Sequence, residues 1–154
     1  MKDYEAKILL LGIGNSGRSD DGLGWAFLDE LQDKLTGEFD LEYRYQLQIE
    51  DAELISNYDI VYFIDAHLDQ FTDGYQLEHC LPRQTESFST HQLDPQAVAY
   101  LCKSIYGKKP ETYTLGISGV AFDLNIGLSS EAKINLVNAL KFFENEILTL
   151  TINK

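Results

Sequence analysis

Hydrophobic and polar residues occur along the chain in blocks that predict strands and helices in turn. Two continuous apolar runs, Lys7–Gly12 and Asp59–Ala66, are typical of central strands that are buried on both faces of a sheet. After the first run, the apolar residues recur at the spacing of a helix. The first helix is predicted from the spacing of Leu23, Phe27, Leu31 and Leu35.

The rest of the chain continues this alternation of element types. The predicted strands are Leu41–Ile49, Gly74–Leu81 and Glu111–Ser118. Helices are predicted at Pro95–Gly107 and Ser130–Leu148, and a short helix or turn at Asp51–Tyr58. The connection before the Gly74 strand is short, so we expect that strand to run antiparallel to its predecessor. The pattern predicts an α/β three-layer sandwich, in which helices cover both faces of a mostly parallel twisted sheet of about five strands. We treat residues 1–154 as one domain.

Composition narrows the classes of partner. The formal net charge is −13, so the chain lacks the basic surface that nucleic acids and anionic membranes require. Its apolar runs are shorter than a transmembrane helix. The two cysteines, Cys80 and Cys102, are not in a metal-binding or redox spacing. We therefore expect reduced structural thiols in a cytoplasmic protein, with no nucleic acid or membrane as partner.

The loop after the first strand, "GIGNSGRSDDGLG", fits the dinucleotide fingerprint through Gly12, Gly14 and Gly17. A nucleotide-binding domain is therefore one interpretation. Against it, Asp20 and Asp21 stand at the helix end that would hold a pyrophosphate, and their charges would repel it. In addition, four residues separate the third glycine from the predicted helix, whereas the fingerprint has its helix start directly.

Charged and imidazole side chains follow several predicted strands. In an open α/β sheet such residues gather beyond the carboxyl ends of the strands. The candidates are Asp20, Asp21, Asp65, His67 and His91. Carboxylates and an imidazole together suit a divalent metal. Two alternatives stay open: the aspartates cap the first helix or bind loop amides, and His67 is either a further ligand or an exposed loop residue.

Four segments in order resemble the hydrogenase maturation proteases, the endopeptidases that trim the C-terminus of the nickel–iron hydrogenase large subunit. The first is the opening loop with its acidic pair Asp20 and Asp21, and the second is the strand that ends in Asp65. The third is the Ser-x-His segment with His91, and the fourth is the Gly-Leu-Ser loop at 127–129 before the last helix.

This resemblance implies a function and a set of site residues. The family's metal ligands correspond to Asp21, Asp65 and His91. The implied metal is nickel, supplied by the hydrogenase large-subunit precursor, and another divalent metal in the resting site is an alternative. A carboxylate such as Asp20 or Asp21 would take up a proton, so Asp20, Asp21, Asp65 and His91 form the candidate catalytic set. The implied activity is that of an aspartic-type, metal-dependent endopeptidase that removes the precursor's C-terminal extension.

Two departures from the family pattern keep a second interpretation open. Residues 16–18 are Ser-Gly-Arg where the family usually has bulky apolar residues, and Ser118 and Gly119 stand where it often has a glutamate or glutamine followed by a proline. Both changes fall near the expected substrate groove. A non-catalytic binding module of the same fold, which recognises a metal-loaded precursor without hydrolysis, is therefore the alternative to the protease.

Overall fold

The computed structural model describes residues 6–35, 37–84 and 93–148. Their strands form one sheet in the order β2-β1-β3-β5-β4. The strands are β1 (Ile8–Ile13), β2 (Phe39–Arg44), β3 (Ile60–His67), β4 (Tyr75–His79) and β5 (Glu111–Ser118). All neighbouring strands are parallel except β4, which pairs antiparallel with β5. The sheet is thus mostly parallel, as predicted, and the antiparallel strand lies at its edge beside β5.

Helices cover both faces of the sheet. They are α1 (Leu23–Leu31), α2 (Glu50–Ile55), α3 (Pro95–Tyr106) and α4 (Ser130–Phe143), with a 3₁₀ turn at Ser19–Gly22 and a π-helical turn at Glu144–Leu148. One apolar core lies under α1 and α4, and a second lies under α2 and α3. The predicted three-layer α/β sandwich is confirmed. None of the helices in the described ranges is long and apolar enough to cross a membrane.

Strand β1 shows why the central strands read as continuous apolar runs. Its side chains alternate between the two cores: Ile8 and Leu10 face α1 and α4, whereas Leu9 and Leu11 face α2 and α3. All four are at most 1% exposed. A fully buried side chain of this size contributes about 1.5–3 kcal/mol, so a polar residue at any of these positions would forfeit that contribution.

Strand β2 differs from the prediction at both ends. It begins at Phe39 and stops at Arg44, whereas the alternation predicted a strand through Ile49. Arg44 pairs with Ile13, the last residue of β1, so beyond it the chain has no strand to pair with. The polypeptide instead turns into α2. Tyr45 is left 71% exposed, and Ile49 59% exposed.

The helix ends follow local sequence signals. Gly107 adopts the left-handed conformation (φ 64°) that ends α3, and the side chain of Ser129 caps α4 by accepting from the Ala132 N–H. Helix α1 is shorter than predicted because it ends at Leu31. Leu35 still packs against the core of α1, but from the segment that follows the helix.

Both cysteines are buried free thiols, in agreement with the structural role predicted for them. Burial raises the pKa of Cys80 to about 11, and it also raises the pKa of Cys102. Both side chains therefore stay protonated at neutral pH and behave as small apolar groups.

Gly24 allows α1 to pack directly on the sheet. A Cβ atom at this position would lie 2.5 Å from the carbonyl oxygen of Ile64 and 2.7 Å from that of Ile13. Both neighbours are backbone atoms of central strands, so they cannot move aside without distorting the sheet. The close approach sets the position of the helix whose first turn follows the acidic pair.

We expect Gly24→Ala to lower the free energy of unfolding by about 3 kcal/mol, because the methyl group forces α1 away from β1 and β3. Urea denaturation measures this change. Gly37→Ala is the matched control, since a Cβ atom there meets nothing within 4 Å. Its effect should stay within about 0.5 kcal/mol. Equal stabilities of the two variants would contradict the packing argument.

Candidate functional site

The loop that leaves β1 is tightly folded on itself. Gly14 has a φ of 151°, and a Cβ atom there would collide with the carbonyl oxygen of Asp21. That carbonyl accepts the N–H of Asn15 at 3.0 Å, and the Asn15 side chain accepts the N–H of Gly17 at 2.8 Å. The loop therefore returns to the carboxyl end of β1, where it holds the 3₁₀ turn that carries the two aspartates.

Asp20 is fully buried and its carboxylate has four hydrogen-bond donors. It accepts the backbone N–H groups of Val120 at 2.8 Å, Ala121 at 2.9 Å and Ser129 at 2.7 Å. The Ser129 hydroxyl donates the fourth bond, at 2.8 Å. Burial alone raises the pKa of a carboxyl group, but these bonds outweigh burial and lower the pKa of Asp20 below its ordinary value.

The ionised Asp20 carboxylate thereby joins the first loop to the segment between β5 and α4. It does not cap a helix, because neither the 3₁₀ turn nor α1 has a side-chain cap. The alternative in which Asp20 or Asp21 caps the first helix is therefore wrong. Asp20 instead binds loop amides, which was the other alternative. These amides lie about a hundred residues further along the chain.

Asp21 and Asp65 line one open cleft of about 610 Å³ at the carboxyl ends of the strands. Asp21 comes from the 3₁₀ turn, and Asp65 from the end of the central strand β3. The walls also include Arg18, Phe122 and the start of α3. The structure thus brings together two of the predicted site residues, and Asp20 lies buried beside them.

The two carboxylates of the cleft raise each other's energy when both are charged. Burial, followed by the negative charge of Asp21, raises the pKa of Asp65 to about 7, and a hydrogen bond from the Ala66 backbone opposes this rise. Burial also raises the pKa of Asp21, whereas the positive charge of Arg18 acts in the opposite direction. A proton or a cation between the two carboxylates would relieve their repulsion.

The two histidines considered from the sequence have different outcomes. His91 lies outside the described residues, although Leu93, two positions later, lines the cleft. His67 lines a neighbouring pocket of about 230 Å³ that shares Asp65 with the cleft. Its ring contacts Phe71, and its Nδ1 accepts the N–H of Asp69 at 3.0 Å. His67 is therefore near Asp65 but is not among the residues lining the cleft that contains Asp21.

Within residues 6–35, 37–84 and 93–148, no three His, Cys, Asp or Glu side chains are arranged to hold a metal ion. The Asp21 and Asp65 pair offers two oxygen donors, and their mutual repulsion favours a cation. The chemistry of this donor pair fits a divalent metal, and a third ligand would have to come from elsewhere.

Three residues of the cleft were not among the candidate site residues. Phe122 lies in a loop without regular structure and has no local signal. Arg18 belongs to the 16–18 departure that was expected near the substrate groove, and its bridge to Asn125 accompanies its place in the cleft. Asp94 does have a local signal, because it immediately precedes Pro95 at the start of α3. Its side chain accepts the Ala97 N–H at 2.8 Å and thus caps the helix.

The architecture is one that is known from solved structures. The chain shares its fold with hydrogenase maturation proteases, the same family that its sequence motifs resemble. The HycI protease from Thermococcus kodakarensis KOD1 matches with a TM-score of 0.70 and 22% identity, over 97% of this chain and 94% of that one. Because the identity is low, this likeness establishes the fold.

Two further structures support the same fold assignment. The maturating endopeptidase HybD from Escherichia coli matches with a TM-score of 0.70 and 19% identity, over 91% of this chain and 94% of that one. A hydrogenase 2 maturation peptidase from a Thaumarchaeota archaeon matches with a TM-score of 0.65 and 19% identity, over 92% and 99% of the two chains. The sequence itself matches no family model and no curated protein.

We expect Asp20→Asn to lower the free energy of unfolding by about 2–4 kcal/mol near pH 7, because an amide NH₂ would face N–H or O–H donors and leave them unpaired. Denaturant unfolding measures the change. Asp21→Asn is the matched control on the same turn, and it should be neutral or stabilising because burial raises the pKa of Asp21 and thus penalises its charged form. Similar losses in both variants would contradict the distinct environments of the two residues.

A second prediction concerns pH. The pKa of Asp65 is raised to about 7, so the folded protein retains a proton that the unfolded chain loses near pH 4. Stability should therefore fall as the pH rises from about 4 through about 7. Asp65→Asn cannot ionise, and we expect it to exceed the wild type by about 1–3 kcal/mol near pH 8, with the difference vanishing towards pH 4.

Thermal or denaturant unfolding across that pH range measures the difference. The matched control is Asp33→Asn, an exposed aspartate just after α1. Its stability should follow that of the wild type at every pH. A pH-independent gap between Asp65→Asn and the wild type would show that the raised pKa of Asp65 is not the cause.

Proposed function

We propose that the protein is a hydrogenase maturation protease that removes the C-terminal extension of a nickel-loaded hydrogenase large-subunit precursor. The observation that carries this proposal is the convergence of Asp21 and Asp65 in an open cleft, on the fold of these proteases. Solved structures of this fold are named hydrogenase maturation proteases or peptidases, and the ordered motifs of the chain resemble those of that family. The cytoplasmic location expected from the two thiols is part of the same proposal.

We propose that the carboxylate pair binds the nickel of the precursor. Asp21 and Asp65 would supply oxygen ligands, and His91, close in sequence to the cleft residue Leu93, would supply a nitrogen ligand. When bound, the metal would polarise the scissile carbonyl or activate a water molecule. A pair of carboxylates that repel each other binds a cation more strongly than either alone, so an extension with nickel nearby would be preferred over one without it.

Proton transfer is assigned to the cleft carboxylates and not to Asp20. An Asp21 or Asp65 oxygen that is not bound to the metal would accept a proton from an attacking water and return it to the leaving amine. The four hydrogen bonds of Asp20 hold its carboxylate ionised and occupied. We therefore assign Asp20 the task of fixing the loop that positions Asp21 and Phe122.

The nucleotide-binding alternative finds little support in the loop. A phosphate requires free backbone N–H groups, but those of Asn15, Gly17 and Arg18 are already bonded within the loop. The N–H groups of Ser19 and Asp20 are bonded to carbonyl oxygens of the 121–125 segment. A phosphate would also meet the buried negative charge of Asp20.

Cleavage of a purified nickel-loaded precursor, followed by mass spectrometry, tests the proposal. We expect the wild type to release the extension, and Asp21→Asn, Asp65→Asn and His91→Ala each to lower the rate by about a hundredfold or more, because each loses a metal ligand or proton carrier. The Asp33→Asn variant, altered outside the cleft, should cleave at the wild-type rate.

Two results would contradict the proposal, the first its site and the second its activity. Full cleavage by Asp21→Asn and Asp65→Asn would remove the proposed chemistry from the cleft. Capture of the nickel-loaded precursor by the wild type, with no product formed, would instead favour the non-catalytic binding module. The precursor without nickel serves as the matched control, and it should remain uncut.

A further inference from the structure

Arg18 is held firmly by its backbone at the edge of the cleft. Its N–H donates to the carbonyl oxygen of Asn15 at 3.0 Å, and its own carbonyl accepts the N–H of Asp21 at 3.1 Å. The residues on either side of Arg18 are both hydrogen-bonded to the backbone of Asn125. The Ser19 N–H donates to the Asn125 carbonyl oxygen at 2.7 Å, and the Asn125 N–H donates to the Gly17 carbonyl oxygen at 3.0 Å. The starting point of the Arg18 side chain is therefore fixed.

The Arg18 side chain, by contrast, is exposed and lines the cleft without a bound partner of its own. Among the described residues, none of the hydrogen bonds or ion pairs of the structure involves its guanidinium group. The group lies close enough for its charge to act on Asp21. A guanidinium that is anchored but unpaired is ready to bind a carboxylate in a bidentate manner.

The charges around Arg18 make it a distinctive element of the cleft. The charged side chains lining the described part of the cleft are Arg18, Asp21, Asp65 and Asp94. Asp94 is already engaged by the Ala97 N–H and by Arg83. Among the charged side chains that line the described part of the cleft, Arg18 carries the one positive charge, so a carboxylate that enters the cleft is attracted to it. The position of a carboxylate along the bound segment would therefore fix that segment's register.

We propose that Arg18 is a specificity-determining residue that pairs with a carboxylate of the segment occupying the cleft. This inference rests on the proposed function, because the segment is the precursor's C-terminal extension with its flanking residues. It adds that the extension or its flanking residues must carry a carboxylate, either an acidic side chain or the chain terminus. When this carboxylate binds Arg18, the scissile bond lies beside Asp21 and Asp65.

A charge-swap experiment tests the pairing. Each acidic side chain near the scissile bond of the precursor is replaced singly by its amide and by lysine, and the terminal carboxylate is amidated. For the wild type, one amide replacement should raise KM about tenfold with little change in kcat. Arg18→Gln should show the raised KM with the native precursor and no further response to that replacement. Arg18→Glu should recover affinity for the lysine precursor.

The control is Lys103→Gln, which removes a positive charge from the last turn of α3 outside the cleft. It should leave the preference among precursors unchanged. Arg18 is not the specificity residue if Arg18→Gln slows all precursors equally, or if no carboxylate distinguishes the wild type from Arg18→Gln.

The same precursors separate this inference from the proposed function. If the wild type binds the precursor without cutting it, proteolysis fails, but calorimetric dissociation constants for the same charge swaps still decide the role of Arg18. If the wild type neither binds nor cuts any precursor, both proposals are overturned.

Discussion

The carboxylate of Asp20 is the interaction on which the rest of the site depends. A buried charge without partners would cost several kcal/mol, and the segment from 119 to 129 would leave its N–H groups unpaired in the same region. The N–H groups of Val120, Ala121 and Ser129 donate to Asp20, so the buried charge and the buried N–H groups are both satisfied. The cleft can therefore form only when the first loop and the start of α4 are both in place.

Two adjacent aspartates consequently do opposite work. Asp20 is surrounded by donors, so its charged form is stabilised and its pKa is lowered. Asp21 lies beside a second carboxylate, and burial raises its pKa despite the nearby Arg18. The environment separates identical side chains into one that holds the structure and one that is available for chemistry. The 3₁₀ turn achieves this because successive residues along it point in different directions.

The sequence was sufficient where the determining signals are local. The apolar runs of β1 and β3 and the helices that begin at Pro95 and Ser130 depend on signals within a few residues, and these predictions are confirmed. The end of β2 at Arg44 was not predictable, because it depends on where its neighbour β1 stops. The partners of Asp20 and the placement of Arg18 likewise depend on residues about a hundred positions away. His91 stays a prediction.

The position of Asp65 explains how the fold tolerates a costly pair of carboxylates. It ends β3, the central strand between β1 and β5, whose preceding residues are buried in both cores. That packing fixes the carboxylate near Asp21 even though their charges repel, and a proton satisfies the pair when no cation is present. A metal-carrying substrate would displace this proton. Burial raises the pKa of Asp65 most, and the charge of Asp21 raises it further. On the proposed function, these two effects would also make the cleft respond to whether the precursor carries its metal.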